Sequence, residues 1–124
     1  MSFVSFVAAL ALLEYLGIVL FTGRARATYN VEAPATSGHP IFERWHRVQQ
    51  NTVEQLVVFI PALFLFSEQV SNRIAGLLGL VFIAGRALYV RSYVADPKTR
   101  GAGFVIGFVA TALLVIGALI GSIV

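Results

Sequence analysis

From Ala102 to Val124 the chain carries no charged residue. An uninterrupted apolar run of this kind matches the roughly 20 residues that an α-helix needs to cross a hydrocarbon core. Only helices and closed barrels satisfy their own backbone in lipid, so such a run predicts a membrane helix. Three more stretches fit the same template. Phe3 to Phe21 is apolar except for Glu14, and Ile74 to Val94 is a third candidate. The remaining one is strongly apolar only from Leu56 to Phe66, and becomes long enough when the helix starts near Ile41. The expected spans are residues 3–22, 41–67, 73–95 and 102–124, all within one membrane domain covering 1–124. The expected fold class is therefore all-α, an integral membrane four-helix bundle with up-down connections and left-handed packing. Composition agrees. The chain is 58% hydrophobic and 12% charged, whereas soluble domains run near half apolar and a quarter charged. A soluble fold of 124 residues could not bury that much apolar surface.

The basic residues are distributed unevenly between the connections. Arg24 and Arg26 precede the second span and Arg44 and Arg47 open it, while Arg91, Lys98 and Arg100 surround the turn before the fourth. Only Arg73 flanks the connection between spans two and three. The positive-inside rule puts both basic loops in the cytoplasm and both termini outside. With a net charge of +3 and no lysine-rich block, the composition argues against a nucleic-acid partner. The absence of cysteine removes disulfides, thiolate metal sites and a cysteine nucleophile. The N-terminus lacks a basic n-region and a small-residue cleavage site, and reads as a retained first helix. Pro40 suits a first helical turn, with Ser37 or Thr36 as cap. Pro61 predicts a kink in span two, and Gly103-x-x-x-Gly107 and Gly117-x-x-x-Gly121 permit close packing of span four.

Ionisable groups inside membrane helices are candidates for function by default. The segment RVQQNTVEQL (47–56) carries several into the mouth of span two. At 100° per residue, Arg47, Asn51 and Glu54 fall at about 0°, 40° and −20°, one stripe of the helix, with Gln50 and Gln55 flanking it. Guanidinium, amide and carboxylate together can grip a zwitterion at several points. They can equally close on themselves as an ion pair. In GRALYVRSYV, Arg86, Tyr89 and Tyr93 lie at about 0°, −60° and −20°, again on one face. Either tyrosine alone also fits an aromatic belt. Arg86 is deeper and requires a partner. Arg91 and Trp45 read as interfacial anchors. His39 and His46 lack the acidic company of a metal site, and no metal is expected.

FERWHRVQQNTVEQ followed by a proline-containing apolar helix, then GRALYVRSYV and a basic turn, resembles the MAPEG family, the membrane-associated proteins in eicosanoid and glutathione metabolism. The resemblance covers span number, loop lengths and both motifs. It implies a homotrimer of four-helix subunits that binds glutathione between subunits, with membrane lipids and a lipophilic small molecule as further partners. It implies glutathione transfer to lipophilic electrophiles, with peroxidase activity toward lipid hydroperoxides as a related possibility. By that resemblance Arg26, Arg47, Gln49, Asn51, Glu54, Arg86, Tyr89 and Tyr93 match glutathione ligands, although Gln49 lies about 160° from the stripe. Arg100 falls where leukotriene-forming members keep a thiol-activating arginine, so Arg100 and Tyr93 are the expected catalytic pair. Departures are Gln55, where close relatives of the pattern have tyrosine, Ala27 in place of a second arginine, and Gly23 in place of a bulkier residue.

Two other functions compete. A non-catalytic binding member of the same fold would lack the second-helix pattern and the activating arginine. A small four-helix multidrug transporter would use Glu14, since a carboxylate in mid-span costs about 2.5–3.5 kcal/mol on insertion scales. The long polar segment from Gly23 to Pro40 and the two convergent stripes favour the transferase.

Overall fold

The computed structural model describes residues 2–124. Four long helices follow one another: α1 (Phe3–Thr28), α2 (Pro40–Gln69), α3 (Asn72–Ala95) and α4 (Gly101–Ile123), with a 3-10 turn at Pro97–Thr99. The described residues contain no strand. All four helices are long and apolar enough to cross a membrane. The shortest has 23 residues, about 34 Å at 1.5 Å per residue, against a hydrocarbon core of about 30 Å. The outer surface is apolar: Leu13, Leu20 and Leu119 are 62%, 74% and 62% exposed. Water would penalise such a surface and lipid tails do not.

The helices alternate in direction. The start of α1 meets the start of α3, where a Cβ on Gly76 would strike the Phe3 ring. The end of α1 meets the start of α2, where Phe21 stacks on Trp45 at 5.2 Å. Helix α4 begins against the end of α3 and finishes against the end of α2, where a Cβ on Gly117 would strike the Phe66 ring. The central pair α2–α3 is flanked by α1 on one side and α4 on the other. Phe59 and Phe82 stack at 3.9 Å in its middle, within a core that includes Val7, Leu63 and Leu114.

Both glycine pairs of α4 are contacts. A Cβ on Gly103 would strike the Tyr89 backbone, and one on Gly85 would sit 2.8 Å from the Gly107 nitrogen. A Cβ on Gly121 would lie 3.1 Å from the Gln69 carbonyl oxygen. Thus α4 packs on α3 backbone to backbone near its start and against α2 near its end.

Two local expectations change. Helix α1 continues past Phe21 to Thr28, because Gly23-Arg-Ala-Arg-Ala-Thr contains no proline and its arginines can reach outward. The cap of α2 is His39, not Ser37 or Thr36: its Nδ1 accepts from the Ile41 amide at 3.1 Å, and its ring stacks on Tyr29 at 3.8 Å. Helix α2 is one helix with Pro61 inside it.

Candidate functional site

The end of the bundle remote from both termini gathers the end of α1, the start of α2, the end of α3 and the start of α4. A cavity of about 470 Å³ opens there, lined by Arg47, Gln50, Asn51, Glu54, Tyr89, Tyr93 and Arg100. The α2 stripe and the α3 stripe therefore face the same space, and the first residue before α4 closes it. Small-molecule sites typically occupy about 300–1,000 Å³.

Arg86 does not line the cavity; it lies beneath it. It is only 1% exposed, the bulkiest fully buried side chain of the bundle. Its Nη1 donates to Asn51 Oδ1 at 2.8 Å and to Thr52 Oγ1 at 3.3 Å. Thr52 Oγ1 in turn donates to the Val48 carbonyl one turn earlier, at 2.7 Å. The guanidinium also lies 4.1 Å from the centroid of the Tyr89 ring, within cation–π range. One buried cation thus fixes an amide on α2 and an aromatic on α3, and both of those reach the cavity. Thr52 escaped the sequence reading because its role depends on the register between helices.

Tyr89 and Tyr93 stand one turn apart with ring centroids at 5.6 Å. Tyr89 is buried against Ile18 and Val48, whereas Tyr93 is half-buried. The Arg100 guanidinium carbon is 5.9 Å from the Tyr93 ring centroid, and its Nη1 donates to the Pro97 carbonyl at 2.8 Å. Arg100 is exposed, so its remaining donors can turn to a ligand. The corner that carries it is secured from both sides. Arg44 of α2 donates to the Val94 and Ala95 carbonyls at 2.9 and 3.2 Å, and the Thr99 hydroxyl donates to Ser92 O at 3.0 Å. The bonds from Arg44 satisfy carbonyls that a helix C-terminus leaves without partners, whereas Ser92 O also accepts from the Asp96 amide at 2.8 Å.

Two expected ligands lie elsewhere. Arg26 donates to the Val31 and Ala35 carbonyls at 3.3 and 2.8 Å and lies 4.5 Å from the Phe42 ring centroid; it pins the α1–α2 connection. Gln49 is on α2 but outside the cavity lining, while its neighbour Gln50 is part of it. Gln55 is half-buried and also outside that lining.

The chain matches the model of the MAPEG family over residues 4–120. It is 46% identical to an uncharacterized protein of Synechocystis sp. over 114 residues, which are 92% of this chain and 83% of the relative. It is 43% identical to microsomal glutathione S-transferase 2 of Homo sapiens over 101 residues, 81% of this chain and 69% of that protein. Against leukotriene C4 synthase of Cavia porcellus the identity is 33% over 100 residues, 76% of this chain and 67% of the synthase. With four membrane-length helices, a polar cavity at one end of them and a family match over almost its whole length, this chain belongs to the MAPEG family.

Proposed function

We infer that the protein is a membrane glutathione transferase that conjugates glutathione to lipophilic electrophiles. The charge pattern of the cavity carries this reading: two guanidiniums, Arg47 and Arg100, and one carboxylate, Glu54, all open to the same space. Glutathione offers a partner to each: a carboxylate to Arg47, its ammonium to Glu54 and its thiol, as thiolate, to Arg100. Charge-assisted pairs of that kind are about twice as strong as neutral hydrogen bonds. Asn51 and Gln50 offer amides for the peptide bonds of the tripeptide. The names of two relatives, a glutathione S-transferase and a leukotriene C4 synthase, support the same chemistry and leave the electrophile open between detoxification and eicosanoid metabolism. Peroxidase activity toward lipid hydroperoxides would use the same bound thiol.

The chain's task is to hold the thiol as thiolate. A free thiol has a pKa of about 8.5 and is mostly neutral at pH 7. A cation beside the sulfur lowers that value by about one to three units. Arg100 is assigned this role because it sits at the cavity's edge with donors to spare, and the Tyr93 hydroxyl can share the sulfur. The thiolate sulfur then attacks an electrophilic carbon arriving from the bilayer; the C–S bond forms as the bond to the leaving group breaks with its electron pair or, in an epoxide, as the C–O bond opens and the alkoxide takes a proton from water.

Arg26 and Gln49 support a homotrimer. Both match family ligands, and both lie outside the cavity lining of their own chain, a placement that fits service to the cavity of a neighbouring copy. The distribution of basic residues supports cytoplasmic placement of the cavity end, with both termini on the other side.

Purified protein with Arg100→Ala should bind glutathione within a few-fold of the unaltered chain. Its conjugation rate toward a model electrophile should fall by at least about ten-fold, and the thiolate absorbance band seen on adding glutathione should disappear. Retention of band and rate would remove Arg100 from the mechanism.

A further inference from the structure

A second cavity, of about 370 Å³, lies between α1 and α3 and shares no lining residue with the first. Its walls include Ile18, Phe21, Ala87 and Val90, and its one acidic group is Glu14. Glu14 Oε1 is buried and has no hydrogen-bond partner. A buried polar atom without a partner costs about 1–3 kcal/mol, and nothing in the glutathione chemistry uses it. Arg86 lies within electrostatic reach of Glu14 but makes no hydrogen bond to its Oε1. Arg86 donates to Asn51 and Thr52. Arg91 lines the same groove but is exposed, so its long side chain can reach toward the headgroups.

We propose that this α1–α3 groove is a second ligand site, and that it takes a lipophilic amine whose ammonium or amine N–H donates to Glu14 while its hydrocarbon part lies along Ile18, Phe21, Ala87 and Val90. Complementarity selects the class. The walls ask for hydrocarbon and the floor for a donor, and a charged donor to a carboxylate gives the strongest bond available. An alcohol offers a weaker bond, and a fatty acid places a second carboxylate against Glu14. The site is independent of the transferase reading.

Trp45 lines this groove and is the chain's one tryptophan, so its emission reports occupancy directly. The full-length protein in phosphatidylcholine nanodiscs is titrated with dodecylamine, and in parallel with dodecanol and dodecanoate. Dodecylamine should give a saturable change in Trp45 emission that the other two chains do not match. In Glu14→Gln the amine midpoint should rise by about ten-fold, the loss of one charge-assisted bond. Ala87→Phe fills the groove from its wall without touching Glu14 and should abolish the response, which keeps the test decisive if Glu14→Gln does not fold. Equal responses to all three chains would mean simple partitioning and would overturn the proposal. So would an unchanged midpoint in Glu14→Gln, or no saturable response in the unaltered chain, as when a second copy of the protein covers the groove.

Discussion

Arg86 joins the two stripes of the site because, among the described residues, it is the buried cation that touches both. Its bond to Asn51 is the shorter of its two side-chain bonds. Asn51→Leu should leave a buried guanidinium short of its main acceptor and lower stability by about 3 kcal/mol. Thr52→Val removes the weaker acceptor and should cost about 1 kcal/mol, with glutathione affinity unchanged because Thr52 is outside the cavity. Thermal unfolding in detergent, with and without glutathione, separates the two, and equal losses would refute the ranking. At this scale the sequence reading went far. Helical angles alone put Arg47, Asn51 and Glu54 on one face, and the cavity wall contains all three. What angles within one helix cannot give is the partner across the gap. Arg86 needed an acceptor, but only the register of α2 against α3 selects Asn51 and Thr52. The same limit hid His39, whose capping nitrogen follows from a side-chain rotamer and a stack on Tyr29.

Among the elements, the seam between α3 and α4 carries the strongest constraint. Gly85, Gly103 and Gly107 bring the two backbones into contact, the type of approach that drives helix association where no hydrophobic force acts between helices. Gly103→Ala forces a methyl into the Tyr89 backbone and should destabilise by about 1–3 kcal/mol. It should weaken glutathione binding as well, since Tyr89 lines the cavity. Gly23→Ala is the matched control. Nothing lies within 4 Å of its Cβ position, so only helix propensity changes, by up to about 1 kcal/mol in the stabilising direction. Parallel thermal melts of the two variants check the pair; an indifferent Gly103→Ala would mean the seam has slack. The four spans were legible because an apolar run of fixed length is a strong signal. The continuation of α1 to Thr28 was not, because hydropathy marks where lipid ends and says little about where a helix ends.

At the scale of the whole molecule, Arg26 and Gln49 lie outside the cavity lining of their own chain. If a neighbouring copy supplies Arg26, each site mixes residues from two chains. Arg26→Ala and Arg100→Ala should then each be inactive alone. Co-assembled in equal amounts they should regain activity, because about one quarter of the interfaces in a randomly mixed ring would pair an intact Arg100 with an intact Arg26. Activity of co-purified mixed assemblies measures this directly, and no recovery would place every ligand within a single chain.

The glycine seam has a further consequence. Contact between backbones leaves no side-chain layer to compress, so α3 and α4 behave as one stiff plank. Membranes differ in thickness, and helices answer by tilting. When this bundle tilts, the plank turns as a unit and carries Tyr93 and Arg100 together. Helix α2 meets that plank through side chains near the cavity, so the wall bearing Arg47 and Glu54 is the one that gives. On the proposed reading, lipid thickness would thereby act on the grip around the tripeptide and spare the spacing of Tyr93 and Arg100 around its sulfur.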